Sequence, residues 1–410
     1  MNKKLRQNAE SIVQAAIGSV LPNRAVEQAL AGLTFPGRVY LVAAGKAAWQ
    51  MSRAAVDCLH VPIAGGVCVT KYGHVMGSIE GVECIEAGHP VPDENSFRGT
   101  QRVLELTQHL TETDTVLFLL SGGGSALFEK PLIDGAELQE ITNRLLACGA
   151  DVVKINTIRK RLSAVKGGKF ARWCHPARIE AVVLSDILGD PLDMIASGPA
   201  AADSSTCAQA IAIAEECGLK LSDRTRECLH SETPKELNNV HTQIIGSVRQ
   251  LCAAAGEASE KLGYETVFLT DMLCCEAKEA GSFLASLARS HARGGRRLAF
   301  LAGGETVVHL TGKGLGGRNQ EVALGAAEGL AGLNACVISV GSDGTDGPTD
   351  AAGGYADGDT LAELAAKGLD PAAVLKENDA YHALKAVDCL IFTGPTGTNV
   401  NDVAVVLVAG

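Results

Sequence analysis

Ser121-Gly122-Gly123-Gly124-Ser125 directly follows the apolar run Val116–Leu120. Three consecutive glycines let backbone N–H groups turn into one space, and a helix starting there adds positive potential. That combination suits a phosphate or a carboxylate. A second glycine-rich stretch, Gly312-Lys313-Gly314-Leu315-Gly316-Gly317, has GxGxxG spacing and runs straight into Arg318-Asn319-Gln320-Glu321. The first acid beyond the next apolar run is Asp343, later than a ribose-binding carboxylate should fall. Arginine immediately after the glycines suits stabilisation of phosphate charge better than a dinucleotide turn.

Two acidic loops also follow apolar runs: Ser185–Asp193, with Asp186 and Asp190, and Gly341–Asp350, with Asp343 and Asp346. One such loop would be an ordinary Asx turn. Two in one chain favour carboxylates that hold Mg²⁺ or act as a general base. The second lacks the glutamate that closes an EF-hand loop. Lys46 ends the run Val39–Ala44, and Glu305 sits in the turn Gly303-Gly304-Glu305. The segment Ile155–Lys169 (INTIRKRLSAVKGGK) reads as a basic helix, mostly solvated, with one or two side chains turned to an anion. His89, in Gly88-His89-Pro90-Val91-Pro92, reads as part of a structural turn. No HExxH, GxxxxGK[ST] or GxSxG occurs, which argues against a zincin, a Walker A site and an α/β-hydrolase elbow.

The elements that must carry these loops alternate. Strand-like runs at Val39–Ala44, Val67–Thr70, Glu83–Glu86, Val116–Leu120 and Ile179–Leu184 are separated by helical patterns, which predicts βαβ units and a largely parallel sheet. After a polar stretch, Ser222–Val240, a second alternation uses Thr242–Ile245, Glu265–Leu269, Arg297–Ala302, Thr306–Leu310, Ala335–Val340 and Val403–Val408. The expectation is an α/β chain of two domains, residues 1–235 and 236–410, with ligands beyond the carboxyl ends of the strands.

Composition narrows the class. Lys plus Arg total 36 against 47 for Asp plus Glu, a formal charge of −11, which disfavours nucleic-acid binding. Glycine is abundant (46) without any collagen period. The 13 cysteines are odd in number with no CxxC, so free, buried thiols in a reducing compartment are expected rather than a disulfide framework. The opening Lys3, Lys4 and Arg6 precede an amphipathic helix, not a signal peptide, and no apolar run is long enough to span a bilayer. A cytoplasmic protein, with room for a homo-oligomer, is the expectation.

Taken in order, AAGKAA (Ala43–Ala48), GHPVPDENS (Gly88–Ser96), LLSGGGSALF (Leu119–Phe128), INTIRKRLSAVKGGK, LSDILGDPLDMIASGP (Leu184–Pro199), GGETVVHLTGKGLGGRNQE (Gly303–Glu321), GSDGTDGPTDAAGG (Gly341–Gly354) and TGPTGTNVNDV (Thr393–Val403) resemble the class II glycerate 2-kinases of the MOFRL family. The resemblance spans nearly the whole chain. It implies a larger Rossmann-like N-terminal domain with a parallel sheet, a smaller α/β C-terminal domain, and an active site in the cleft between them. It implies ATP-dependent phosphorylation of D-glycerate at the 2-hydroxyl with a divalent cation, and it matches Lys46, Asp186, Glu305 and Arg318 to charged positions of that site. Members are often labelled hydroxypyruvate reductase, so a nicotinamide-dependent reductase is the alternative.

The roles expected of individual residues follow from phosphoryl-transfer chemistry, which needs charge neutralisation and positioning. Ser121, Gly122, Gly123, Gly124 and Ser125, with Gly316, Gly317 and Asn319, are expected to bind ATP or the glycerate carboxylate. Lys46 and Arg318 would neutralise the transferring phosphoryl group or that carboxylate, with the fold surviving loss of Arg318. Asp186, Asp190 and Asp343 are the expected Mg²⁺ ligands, and one of these acids or Glu305 the base. A non-catalytic sugar-phosphate-binding regulator is a third reading, disfavoured by the acidic charge and the lack of a DNA-binding module.

Overall fold

A computed structural model describes residues 2–410. It divides into two compact units, Pro22–Ile245 and a second formed by Gly246–Gly410 with the residues up to Leu21. The division falls after Ile245 rather than after residue 235, because the strand Val240–Gly246 completes the first sheet. The opening helix, Lys3–Ser19, packs in the second unit, on the helix Val248–Lys261. The stretch Ser222–Val240 is therefore no boundary, and it contains a helix, Asp223–His230.

The first unit is built on β1 (Val39–Ala44), β2 (Ile63–Lys71), β3 (Val82–Ala87), β4 (Thr115–Leu120), β5 (Arg178–Leu184) and β6 (Val240–Gly246), in the order β3-β2-β1-β4-β5-β6. The ladders joining β1 to β5 are parallel. Strand order reverses between β1 and β4, the crevice where ligands bind in open α/β sheets. Every residue of β4 is buried, and Phe118 meets Phe128 and Phe170 at centroid distances of 5.6 and 5.1 Å beneath the loop that leaves the strand.

Beside this sheet, helices Gly135–Ala147, Val152–Leu162, Cys207–Glu216 and Asp223–His230 enclose their own core. Here the expected solvated basic helix is corrected: Lys160 is 2% exposed and Arg161 and Lys166 are 0% exposed. Lys166 is paired with the buried Glu129, and Lys160 and Arg161 are buried because the later chain supplies their partners. Lys160 Nζ donates to Asp203 at 3.0 Å and Asp193 at 3.1 Å, and Arg161 donates to Ser205 Oγ and carbonyl O, both at 2.9 Å. The expected free thiols are corrected at one pair, since Cys148 and Cys217 form a disulfide between the C-terminal ends of two of these helices.

The second unit holds β7 (Glu265–Leu273), β8 (Leu298–Gly304), β9 (Ala335–Gly341), β10 (Gly353–Asp357), β11 (Leu390–Ile391) and β12 (Asp402–Val408), ordered β11-β10-β9-β12-β8-β7. Only β7 and β8 pair in parallel; β12 runs antiparallel to both β8 and β9. Thr306–Leu310 is not the strand its alternation suggests. Gly304 already lies opposite the last residue of β7 and the first of β12, so the chain beyond it has no neighbour to pair with, and only Val307 makes a bridge, to Glu276. Among the described residues no helix is long and apolar enough to cross a membrane.

Asp203 is the acid that makes the buried cations tolerable. Burial alone would raise its pKa, but hydrogen bonds from Thr233, the Ser205 amide and Lys160 hold it down to about 2. A carboxylate with a depressed folded pKa contributes stability that is full above its unfolded value near ~4 and is lost as pH falls through the folded one. Asp203→Asn is expected to cost roughly 3 kcal/mol at neutral pH, by leaving Lys160 and Arg161 under-compensated. It should also flatten the acid limb between about pH 4 and pH 2 in urea unfolding curves. An unchanged acid limb would contradict the assignment.

Candidate active site

The ends of β1 and β4 pair through Ala44 and Leu120, so the two loops leave the sheet side by side. The Lys46 amide donates to Gly122 O at 2.8 Å and the Ala47 amide to Ser121 Oγ at 3.0 Å. Gly123 turns with φ +85°, a left-handed conformation that favours glycine. A side chain at Gly122 or Gly124 would collide, and one at Gly123 would be crowded. Asp186 fills the space at Gly122, His89 and Lys46 that at Gly123, and Ala196 that at Gly124. Three other sequence motifs thus converge on this turn.

This turn differs from the expected strand-to-helix junction in one respect. The helix that follows, Gly124–Leu127, has only four residues, too short to supply much of a dipole. Positive potential comes instead from side chains. Lys166 Nζ donates to Ser125 O at 2.8 Å and Phe128 O at 3.0 Å, and Arg159 donates to Ser125 O at 3.0 Å. Both cations share Glu129, with Lys166 at 2.8 Å. Burial pulls the Lys166 ammonium down to about 8 while Glu129 opposes that, so it stays charged at neutral pH. Above the turn, Lys46 is half-buried and its ammonium has no ion-pair partner among the described residues. The N–H groups of Gly123 and Ser125 have no acceptor among the described residues either. Two free amides beside a free lysine make an anion site.

The strained pair Ala196–Ser197 and His89 support or face this turn, and the acidic loop beyond β5 carries a further unusual group. Asp190, at φ +53°, has a buried Oδ1 without a hydrogen-bond partner. Ala196 and Ser197 are both left-handed, at φ +50° and +62°, a strain of about 1–3 kcal/mol each in non-glycine residues. Ser197 Oγ donates to Asn156 Oδ1 at 2.8 Å and lies 3.2 Å from Ser125 Oγ, which fastens the strained segment to the glycine turn. His89 is not merely structural, since its imidazole lies against Gly123. Burial, then the charges of Lys46, Lys71 and His74, push its pKa below the ordinary histidine value, so the ring is neutral near pH 7.

In the second unit, Gly317 and Arg318 open the helix Arg318–Leu330. The anion position at its N-terminus is filled from within. The buried Asp346 carboxylate accepts from the Asn319 amide at 3.1 Å, the Gln320 amide at 2.9 Å and Asn319 Nδ2 at 3.2 Å. Gly317 is a glycine because a Cβ would strike Asp346, and Gly312 and Gly314 because Glu377 and Asp379 press on them. Gly316 likewise packs on the backbone at Ala380. The GxGxxG spacing therefore reflects close packing of chain on chain. Asn319, expected at a ligand, is spent on Asp346 and on Ser339, whose hydroxyl donates to it at 2.6 Å.

Arg318 is bidentate to Asp402, at 2.5 and 3.0 Å, and also holds Glu305 at 2.9 Å. Burial works against its charge, yet these carboxylates raise its pKa. Burial also lifts Asp402 to about 6, with Arg318 opposing. Asp343 is committed to its own turn, where Oδ1 accepts from the Thr345 amide at 2.9 Å. Among the described residues, no three His, Cys, Asp or Glu side chains form a ready-made metal cage.

Residues 8–230 match the family model described as "Domain of unknown function (DUF4147)", and residues 298–402 match the MOFRL family. The chain is 51% identical to a D-glycerate 2-kinase of Thermotoga maritima over 99% of both chains. It is 43% identical to a glycerate 2-kinase of Pyrococcus horikoshii over 91% of this chain and 88% of that one. The crystal structure of a Thermotoga maritima glycerate kinase superposes with a TM-score of 0.96 at 50% identity, covering 99% of this chain and 100% of the other. This chain belongs to the DUF4147–MOFRL family of glycerate 2-kinases.

In this member of the family, Lys46, Asp186 and Ser121–Ser125 come together in the first unit, and Glu305 and Arg318 in the second. Sequence reasoning missed Asp402, which lies in the motif TGPTGTNVNDV, to which no residue role was given. It also missed Ala196 and Ser197, which announce their backbone strain by no residue type. Loss of Arg318 would leave Asp402, 8% exposed, without its ion-pair partner, so the fold is expected to survive but at a cost in stability. Arg318→Ala is expected to cost roughly 2 kcal/mol of stability, discounted for the one-third exposure of the guanidinium. Adding Asp402→Asn should recover most of that loss in thermal unfolding. Equal stability of the two variants would contradict the pairing.

Proposed function

We propose that this chain transfers the γ-phosphoryl group of ATP to the 2-hydroxyl of D-glycerate, giving 2-phosphoglycerate and ADP. The observation that carries the reading is the Gly123–Ser125 turn with free amides, a partnerless lysine above it and buried cations beneath. Such a site takes a carboxylate or phosphate oxygens, and D-glycerate and ATP bring both. The family's relatives are named for this activity, which supports the choice of substrate.

Lys46 neutralises charge on the bound anion, and the Gly123 and Ser125 amides orient it, as in-line transfer requires. Asp186, set against Gly122, fixes one wall of the turn. In the second unit, Arg318 presents the nitrogen that holds Glu305 to an incoming phosphate, with the exposed Glu305 giving way. Gly316 and Gly317 keep the helix start close to Asp346 and so act by support. The chemistry of the acidic loop fits a divalent cation, because the Asp190 Oδ1 is buried and unpartnered, and hard carboxylate oxygen is the donor Mg²⁺ takes. Asp190 and Asp186 would hold it, and when bound it would neutralise phosphate oxygens.

The reductase alternative lacks a place for its cofactor. The one helix start with dinucleotide spacing already carries the Asp346 carboxylate.

The test supplies ATP, Mg²⁺ and D-glycerate, measures ADP release, and identifies the product by ³¹P NMR. ADP formation strictly dependent on glycerate, with 2-phosphoglycerate as product, is expected. Lys46→Met should lower kcat/KM roughly 100-fold or more at unchanged Tm, since the ammonium has no partner to lose in the folded chain. NADH oxidation by hydroxypyruvate with no kinase turnover would overturn the proposal.

A further inference from the structure

We propose that His89 takes the proton from the acceptor hydroxyl during phosphoryl transfer, an inference that rests on the kinase reading above. His89 lies beyond β3, and two strands, β2 and β1, separate β3 from β4, yet the Gly88–Pro92 turn carries its ring over to the glycine turn. Nε2 and Cδ2 stand 3.0 Å from the point where a Cβ on Gly123 would lie, and the Lys46 side chain is 3.2 Å from the same point. The imidazole and the lysine therefore flank one backbone position, next to the free amides of Gly123 and Ser125. An acceptor held by its carboxylate on those amides and Lys46 would bring its neighbouring hydroxyl to the ring.

Of the other groups offered for this task, Asp186 and Asp190 are assigned to the cation in that reading, and the remaining two are occupied. Glu305 is ion-paired with Arg318 at 2.9 Å, and Asp343 accepts from its own turn. Neither ring nitrogen of His89 has a hydrogen-bond partner among the described residues. The charged groups that face it are all positive or shared. Lys46 comes from the loop after β1, and Lys71 and His74 come from the end of β2 and the turn beyond it. On its own turn, Asp93 is engaged by Tyr72 Oη at 2.7 Å and by the Ser96 amide at 3.0 Å. With no carboxylate bonded to it and cations around it, the ring stays uncharged and keeps one nitrogen lone pair available near neutral pH.

The step balances. As the 2-hydroxyl oxygen forms its bond to the γ-phosphorus, its proton passes to the free ring nitrogen. The bond from the γ-phosphorus to the bridging oxygen breaks, and its electron pair leaves with ADP. The imidazolium then returns the proton to water, favoured by the neighbouring lysines. Base assistance of this kind contributes on the order of 10²–10⁴ in rate.

The experiment begins with the wild-type chain, whose ATP- and D-glycerate-dependent turnover must first be present; its absence would count against the kinase reading itself. Given turnover, log kcat is expected to fall with unit slope on the acid side, with its midpoint below the ordinary histidine value of ~6.5. His89→Gln, with an unchanged Tm, should lower kcat by roughly 100-fold or more, shift KM for glycerate only a few-fold and abolish that acid limb. A kcat profile of the wild type that stays flat to about pH 5 overturns the proposal without any variant. So does a His89→Gln enzyme that keeps its kcat, or one that loses only KM, which would mark a residue that binds without accepting the proton.

Discussion

Crowding at three consecutive glycines is the constraint on which the first unit depends. Asp186, His89 with Lys46, and Ala196 each stand where one of the missing side chains would be. A turn so enclosed has no freedom to relax, and its two free amides keep a fixed direction. Fixed donors gain most in a site that has to hold charge without reorganising. The strain at Ala196 and Ser197 is the counterpart of this rigidity, held in place by the Ser197–Asn156 hydrogen bond.

Electrostatics in the two units solve opposite problems. Beneath the first turn, the cations Lys166 and Arg159 share one buried carboxylate, Glu129, so a positive excess remains directed at Ser125. At the start of the helix Arg318–Leu330 the protein supplies its own anion, Asp346, and the donors there are saturated. The same glycine-rich appearance therefore covers one site open to a ligand and one closed by the chain. Arg318 stands between these cases, neutralised by buried Asp402 on one side and held by exposed Glu305 on the other.

Much of this was legible in the residues themselves. The apolar run ahead of Ser121 predicted a strand delivering a glycine turn, and regular alternation predicted βαβ units and a largely parallel sheet. What could not be read was the identity of partners supplied from a distance. Lys160 and Arg161 look solvent-facing until Asp203, 43 residues from Lys160, is folded onto them. His89 looks like a turn residue because nothing local reveals that it crosses two strands. Thr306–Leu310 has a strand's alternation, but neither neighbouring strand extends far enough to pair with it. The GxGxxG spacing was misleading for a similar reason, since Glu377, Asp379 and Asp346 impose those glycines from remote loops.

The account rests on the claim that the Gly123–Ser125 turn is where a reactant's anion binds. A crystal structure with D-glycerate and a non-hydrolysable ATP analogue tests this most directly. The account predicts a carboxylate or phosphate oxygen accepting from the Gly123 and Ser125 amides, with Lys46 beside it. Ligand bound instead at the start of the helix Arg318–Leu330, with Asp346 displaced and both turn amides left without a ligand, would contradict it.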